Sequence, residues 1–203
     1  MRPIQESDRL VKRIRVEDIK LPAEYDDTRD EMRRAAAAIR RSHRIQVGDL
    51  LSFTFENRDT VLFQIQELVH TENVTDAEQI KREIESFSRL LPSEDELMAT
   101  MLVQFRDKEE MSDNMGKIAG IQESVCIVMG RRRVRATVEP GPVRENRASQ
   151  VYYLRFRFPP VELDTFLDPE RDAYLVIDHP NYYASAKIDG ETRASLVKDL
   201  TES

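Results

Sequence analysis

Hydrophobic and polar residues alternate along several short segments of the chain, and this alternation predicts β-strands. In LSFTFE, Leu51, Phe53 and Phe55 alternate with polar residues, which is typical of a strand with one buried face and one solvated face. With the preceding RIQV, this strand predicts a hairpin around a turn at Gly48 and Asp49. Further strands are predicted at residues 97–105, 124–129, 132–138, 151–158, 174–177 and 183–188.

Other segments repeat their hydrophobic residues with the period of an α-helix. Over residues 60–71 one face is apolar and consists of Val61, Leu62, Ile65, Leu68 and Val69. In the helix predicted over residues 75–91, Thr75 and Glu78 have the spacing of a capping box. Further helices are predicted at residues 23–41, 108–119 and 191–200.

The order of these elements predicts the fold class. Runs of strands without regularly alternating helices are typical of an α+β fold, here a largely antiparallel sheet with helices packed on it. A chain of 203 residues is long enough for one such domain with a proper core. We predict an N-terminal arm at residues 1–20, a single domain at residues 21–203, and a loop at residues 139–150.

Composition and charge narrow the class of protein. Charged residues make up 34% of the chain and hydrophobic residues 40%, which is typical of a soluble globular protein. We expect a cytoplasmic protein without a membrane contact, because there is no apolar run of about 18 residues and no secretory signal. The net charge of −7 argues against nucleic acid as a partner. The single cysteine excludes an internal disulfide framework.

Four segments of the chain carry a resemblance to a known family: LSFTFENRDTVLFQIQEL, LPSEDELMATMLVQF, VYYLRFRF and VIDHPNYYASAKI. Over about residues 18–200 the chain resembles a bacterial family designated as a domain of unknown function, number 3501. The resemblance supplies no catalytic residues. Relatives are often encoded beside rubrerythrin-like and iron–sulfur oxidoreductase-like proteins, so the resemblance implies a role near cytoplasmic redox or peroxide chemistry.

The junction between the strand at 51–56 and the following helix is unusually polar, with the sequence Glu56-Asn57-Arg58-Asp59. A helix N-terminus attracts anions, and Arg58 could add a bidentate clamp for a carboxylate or phosphate. Glu56 and Asp59 would compete for the same guanidinium, and Asn57 or Asp59 could serve as an ordinary N-cap. The junction is therefore either a ligand or partner site or a structural connection between strand and helix.

The segment DHPNY has the same two interpretations. Asp178 could orient the His179 imidazole as a base or metal ligand, or Asp178 and Asn181 could bond local backbone amides in a turn. We predict a surface that combines this turn with the junction, with Arg58 as the anchor for an anion or partner. The predicted binding residues are Asn57, Arg58, Asp59, Gln66, Glu67, Asp178 and His179.

Two further features have ordinary explanations beside functional ones. Glu67 and His70 have a spacing that di-iron carboxylate proteins use, but no second copy of it is present. Cys126 lies in an apolar strand, where a thiol is usually inert, and GRRRVR follows it. The alternate arginines of this segment, Arg131, Arg133 and Arg135, could bind an anion or an acidic partner, or could protect an edge strand from aggregation.

We therefore expect a binding or accessory protein that has no cofactor and forms a homo-oligomer. We expect it to contact a protein partner that takes part in redox chemistry. The alternative is a metal-dependent enzyme. In that case four side chains would converge on one divalent ion: Glu56, Asp59, Glu67 and His179.

Overall fold

The computed structural model describes residues 13–142 and 151–201. Its α-helices are α1 (Pro22–Asp26), α2 (Arg29–Ser42), α3 (Arg58–Thr71), α4 (Ala77–Phe87), α5 (Lys108–Asn114), α6 (Pro160–Leu167) and α7 (Gly190–Thr201). Its strands are β1 (Arg44–Val47), β2 (Leu51–Glu56), β3 (Glu96–Val103), β4 (Val125–Met129), β5 (Arg132–Glu139), β6 (Val151–Arg157), β7 (Tyr174–His179) and β8 (Tyr182–Lys187). Within these ranges, no helix is both long enough and apolar enough to cross a membrane.

The strands form one antiparallel sheet in the order β1–β2–β3–β6–β5–β4–β7–β8. The sheet curves until its two edge strands, β1 and β8, lie side by side. The Tyr182 hydroxyl connects these edges, because it donates to the Val47 carbonyl at 3.2 Å and accepts from the Leu50 amide at 3.4 Å. The sheet is therefore a nearly closed barrel.

Apolar side chains fill the inside of the barrel, because every second residue of each strand points inward. Phe53, Phe55 and Met101 are fully buried there. Leu196 of α7 and Phe166 of α6 belong to the same core. A second apolar cluster lies on the outside of the sheet, where α3 and α4 pack against side chains of β3 and β6.

The predicted fold class is confirmed. The chain is an α+β domain with an antiparallel sheet, and the predicted strand limits differ from the observed ones by at most two residues. The alternation of apolar residues was sufficient to locate these strands, because each one has an inward face in the barrel core.

The predicted solvated face of β2 is wrong. Ser52 and Glu56 are 3% and 4% exposed. Arg44 donates to the Ser52 hydroxyl at 2.8 Å, and α3 packs over the end of the strand at Glu56. The polar residues of β2 therefore mark a second interface with hydrogen bonds, which the period of the sequence cannot distinguish from a surface.

The helices differ from their predictions in several places, and the helix predicted at 108–119 is shorter, since α5 ends at Asn114. The helix predicted at 23–41 is two helices, α1 and α2, since the buried Tyr25 directs α1 toward α3. The N-cap of α4 is Asp76 rather than Thr75, and its carboxylate accepts from the Gln79 amide at 2.8 Å. The sequence did not predict α6, which at 8 residues is too short to establish a period.

Part of the predicted N-terminal arm packs against the domain. Ile14 and Ile19 are 4% and 7% exposed and belong to the outer apolar cluster with α3 and α4. Residues 1–12 of that arm and residues 143–150 of the predicted loop lie outside the described residues.

The contact between Gly48 and Tyr182 predicts a stability difference between two glycine variants. Gly48 has a φ of +62°, and an added Cβ would overlap the Tyr182 hydroxyl oxygen. We expect Gly48→Ala to lower the free energy of unfolding by about 2–4 kcal/mol, which combines left-handed strain with displacement of the tyrosine. Urea denaturation measures this loss.

Gly130→Ala is the matched control for Gly48→Ala. Gly130 has a φ of +59°, but no atom lies within 4 Å of an added Cβ. We expect this variant to lose about 1–2 kcal/mol from backbone strain alone. Equal losses in the two variants would show that the Tyr182 contact does not hold the edges of the barrel together.

Candidate functional site

The junction begins with an ordinary helix cap. The side-chain oxygen of Asn57 accepts a hydrogen bond from the backbone N–H of Thr60 at 3.1 Å. In return, the Thr60 hydroxyl accepts from the backbone N–H of Asn57 at 3.0 Å. This reciprocal pair satisfies two backbone donors at the start of α3. Asp59, the other candidate cap, is exposed. The cap explains why a polar residue follows directly after β2.

Glu56 is a buried carboxylate that connects three elements. It accepts hydrogen bonds from the Thr60 hydroxyl at 2.6 Å and the Gln64 amide at 2.9 Å, both on α3. It also accepts from the Thr100 hydroxyl of β3 at 2.6 Å. Because a buried carboxylate is costly unless it is hydrogen-bonded, this set of donors holds α3 against β2 and β3.

Arg58 contacts the segment before α1. Its guanidinium lies 2.8 Å from the carboxylate of Asp18, and both side chains are about one-third exposed, at 31% and 32%. The observed partner is thus neither Glu56 nor Asp59, the two acids beside it in the sequence. A partly exposed ion pair of this kind contributes little to stability.

Gln66 and Glu67 contact N-terminal segments of the chain. The side-chain amide of Gln66 is fully buried. Its oxygen accepts a hydrogen bond from the backbone N–H of Lys20, and its nitrogen donates to the backbone carbonyl of Lys20, both at 2.8 Å. Glu67 accepts from the Tyr25 hydroxyl at 2.8 Å and from Arg29 at 2.9 and 3.0 Å. The Arg29 guanidinium holds the pKa of Glu67 below its ordinary value. These two predicted binding residues therefore hold the segment from Lys20 to Arg29 against α3.

A second polar group at the junction joins His43 to the C-terminal helix. His43 is 5% exposed, and its Nε2 lies 2.8 Å from an Asp199 carboxylate oxygen, while its Nδ1 lies 2.8 Å from the Ile39 carbonyl. The side-chain nitrogen of Asn57 lies 3.4 Å from the other oxygen of the Asp199 carboxylate. Burial by itself lowers the pKa of His43, but Asp199, the Ile39 carbonyl and Glu56 together more than offset this, so the pKa is raised. Both ring nitrogens face acceptors, as a charged imidazole requires.

The DHPNY segment is a turn at the other end of the barrel. The Asn181 amide donates to Nδ1 of His179 at 3.2 Å, and the Nε2 of His179 lies 3.2 Å from the Ala119 carbonyl. Tyr182 places this turn beside the β1–β2 turn, whereas the junction follows the last residue of β2, about 17 Å along that strand. The two parts of the predicted surface are not brought together.

The four ligands of the metal alternative do not converge. Across residues 13–142 and 151–201, no group of three or more His, Cys, Asp or Glu side chains is placed to hold a metal ion. Glu56 and Glu67 are hydrogen-bonded within separate groups, and His179 lies at the opposite end of β2. His70, the other histidine considered, lies 2.7 Å from Asp26.

An exposed patch of arginines and tyrosines covers the outside of β5, β7 and β8. We call it the arginine–tyrosine face and define it by Arg133, Arg135, Tyr174, Asp178 and Tyr183. Tyr183 is 72% exposed and Tyr174 is 36% exposed. Arg133 and Asp178 form an ion pair at 3.4 Å across the face. Arg131 lies in the turn before β5.

Cys126 lies beneath this face, where β4 pairs with Arg135 of β5 on one side and Val176 of β7 on the other. The cysteine is 4% exposed. Burial raises the pKa of its thiol, and the charges of Arg133 and Arg135 oppose this shift. The hairpin of β4 and β5 thus places the positive charges of Arg133 and Arg135 near the thiol. A buried thiol of raised pKa is nevertheless not a reactive thiolate.

Comparison with known proteins shows the family and a similar fold. Residues 13–200 match the family model described as a protein of unknown function, DUF3501. The chain belongs to the DUF3501 family. A crystal structure of a protein from Burkholderia pseudomallei K96243, described as a novel protein of unknown function, is similar, with a TM-score of 0.81 and 24% identity. The similarity covers 90% of this chain and 96% of that one, and it shows the fold alone. No curated protein matches significantly.

The resemblance to this family is thus confirmed over residues 13–200. The sequence did not predict the pair of residues that contacts the junction at Asn57. His43 and Asp199 are separated by 156 positions, and neither stands out in its own segment. Gln66, a buried polar residue between the apolar Ile65 and Val69 on α3, does not indicate this pair, because it bonds the Lys20 backbone instead. A polar residue at a buried helix position requires a hydrogen-bonding partner from elsewhere in the chain.

The contacts of Gln66 and Arg58 predict a difference in stability between two alanine variants. Gln66→Ala removes two buried hydrogen bonds, and we expect a loss of about 2–4 kcal/mol in the free energy of unfolding. Arg58→Ala removes a partly exposed ion pair, and we expect a loss of about 1 kcal/mol or less. Urea denaturation of both variants tests this order. A larger loss in Arg58→Ala would show that the ion pair, rather than Gln66, holds the N-terminal segment.

The His43–Asp199 pair predicts a pH-dependent contribution to stability. Because the pKa of His43 is raised in the folded protein, the pair stabilises fully below the unfolded value of about 6.5 and loses its contribution as pH rises through the folded value. We therefore expect Asp199→Asn to destabilise more at pH 6 than at pH 9, measured by urea denaturation. In a His43→Gln background this difference should vanish, and its persistence there would assign the effect to another group.

Proposed function

We propose that this protein is a cytoplasmic binding or accessory protein that acts by contact with an acidic partner protein. The observation that supports this is the arginine–tyrosine face. The predicted junction is a weaker candidate for the contact surface, because Glu56, Asn57, Arg58, Gln66 and Glu67 all bind other parts of the same chain.

The exposed tyrosines support a protein partner. Tyr and Arg are enriched in protein interfaces, where large aromatic rings bury apolar area and still offer a hydrogen bond. Tyr183 leaves 72% of its surface exposed, and Tyr174 lies on the neighbouring strand β7. Both residues lie on paired strands, so binding would restrict few further backbone degrees of freedom.

The charges of the face support an acidic partner. Arg133 and Asp178 are 52% and 58% exposed, so their ion pair is weak. Within the described residues, Arg135 forms no ion pair with an acid. In a chain with a net charge of −7, this local positive charge would attract acidic groups and orient their approach.

The class of partner comes from the sequence resemblance. It implies rubrerythrin-like or iron–sulfur oxidoreductase-like proteins, and we propose one of these as the acidic partner. A second copy of this chain is the other occupant to be tested, since an oligomer was expected from the sequence. In the part of the chain that the structure describes, no cluster of side chains favours the metal-dependent enzyme.

The decisive variant is Arg133→Glu/Arg135→Glu, which reverses the charge of the face. We expect isothermal titration calorimetry with a purified rubrerythrin-like protein from the same genome to show binding to the wild type. Binding by the variant should be weaker by about tenfold or more, as for the loss of central interface arginines. Tyr183→Ala should weaken binding as well, because it removes apolar contact area.

Lys81→Glu/Arg82→Glu is the matched control, because it makes the same change in charge at two exposed residues of α4. It should bind like the wild type. Equal weakening in both double variants would show a non-specific effect of net charge and would contradict the proposal. Sedimentation velocity of the wild type and Tyr183→Ala tests self-association. If the face mediates a dimer that Tyr183→Ala dissociates, the occupant is a second copy and the acidic partner is wrong.

A further inference from the structure

Three arginines surround a groove between the end of α2 and the outside of β1. The groove has a volume of about 540 Å³ and is lined by Ala37, Arg40, Arg41, Arg44 and Gln46. We call it the arginine groove. It lies on other strands and helices than the arginine–tyrosine face, so an inference from it goes beyond the function proposed above.

The local structure explains why these side chains meet. Arg40 and Arg41 follow Ala37 by three and four residues, which places all three on one side of α2. After α2 ends at Ser42, the chain enters β1, where Arg44 and Gln46 point outward and the alternate residues point into the core. Ala37 has a small side chain, so the floor of the groove remains open.

Two of the guanidinium groups are held in place by uncharged neighbours. Arg44 donates from Nε to the Ser52 hydroxyl at 2.8 Å, which leaves its two terminal nitrogens for a ligand. The Arg40 guanidinium carbon lies 5.1 Å from the centroid of the Phe63 ring. Arg41 is exposed at the rim. Fixed guanidinium groups lose little conformational entropy when they bind an anion.

These positive charges have no acidic partner in the described parts of the chain. The dipole of α2 favours Arg40 and Arg41 near the helix C-terminus. It does not account for Arg44, which lies on β1, or for a groove between the three. Like charges around one cavity repel each other, and a bound anion removes that repulsion.

We propose that the arginine groove binds a phosphorylated small molecule carrying two or more negative charges. The positive charge of three guanidinium groups is more than a single carboxylate can neutralise. Each planar guanidinium can also donate two parallel hydrogen bonds to the oxygens of one phosphate. The volume lies in the range of small-molecule pockets. Single-stranded nucleic acid is a poorer match, because the lining has no aromatic ring for base stacking.

Isothermal titration calorimetry with inorganic pyrophosphate tests this site, with citrate as a carboxylate of similar charge. The wild type should bind pyrophosphate more tightly than citrate, and binding should weaken as the salt concentration rises. Arg41→Gln and Arg44→Gln should each weaken pyrophosphate binding by about ten- to a hundredfold, as expected for hydrogen bonds between charged groups. Arg41 is exposed, so its variant tests the site even if Arg44→Gln disturbs β1.

Lys81→Gln/Arg82→Gln on α4 is the control, because it removes two exposed positive charges away from the groove. It should bind pyrophosphate like the wild type. The proposal is overturned if the wild type does not bind pyrophosphate, if citrate binds as tightly, or if Arg41→Gln binds as the wild type does. Pyrophosphate binding that both the groove variants and the control weaken equally would also overturn it, since it would reflect net charge alone.

Discussion

The placement of α3 on the barrel depends on a buried carboxylate, that of Glu56 at the end of β2. A carboxylate that is 4% exposed must be hydrogen-bonded, and its three donors come from α3 and β3. The direction in which α3 leaves the sheet is therefore set by Glu56 together with the Asn57 cap. Because α3 also forms the outer apolar cluster with α4, this interaction determines how the helical layer lies on the barrel.

Described segments from the N-terminal and C-terminal parts of the chain are held near this junction. The N-terminal segment binds α3 through Gln66 and Glu67, and the C-terminal helix binds α2 through Asp199 and His43. Of these groups, Gln66 and Glu67 were predicted from the sequence as binding residues, whereas His43 and Asp199 were not. A polar corner that completes hydrogen bonds between distant segments stabilises one arrangement of them, so function is better sought where charged groups lack internal partners.

The sequence predicted what depends on neighbouring residues and missed what depends on distant ones. Alternation located the strands, and the apolar face of α3 was correct. The polar face of β2 was assigned to water because its pattern is the same whether solvent or a helix covers it. Gln66 meets Lys20 across 46 positions, and His43 meets Asp199 across 156. Such pairs require the topology, which the spacing of residues does not contain.

The arginines of the described residues divide by what their guanidinium groups contact. Some bind a carboxylate on another element of the fold: Arg29, Arg58, Arg155 and Arg157. Others, including Arg41, Arg44 and Arg135, have none among the described acids. The chain has 38 aspartate and glutamate residues and 31 lysine and arginine residues, so acidic partners for its arginines are abundant. Unpaired arginines on a flat face suit a protein, and those around a groove suit a small anion.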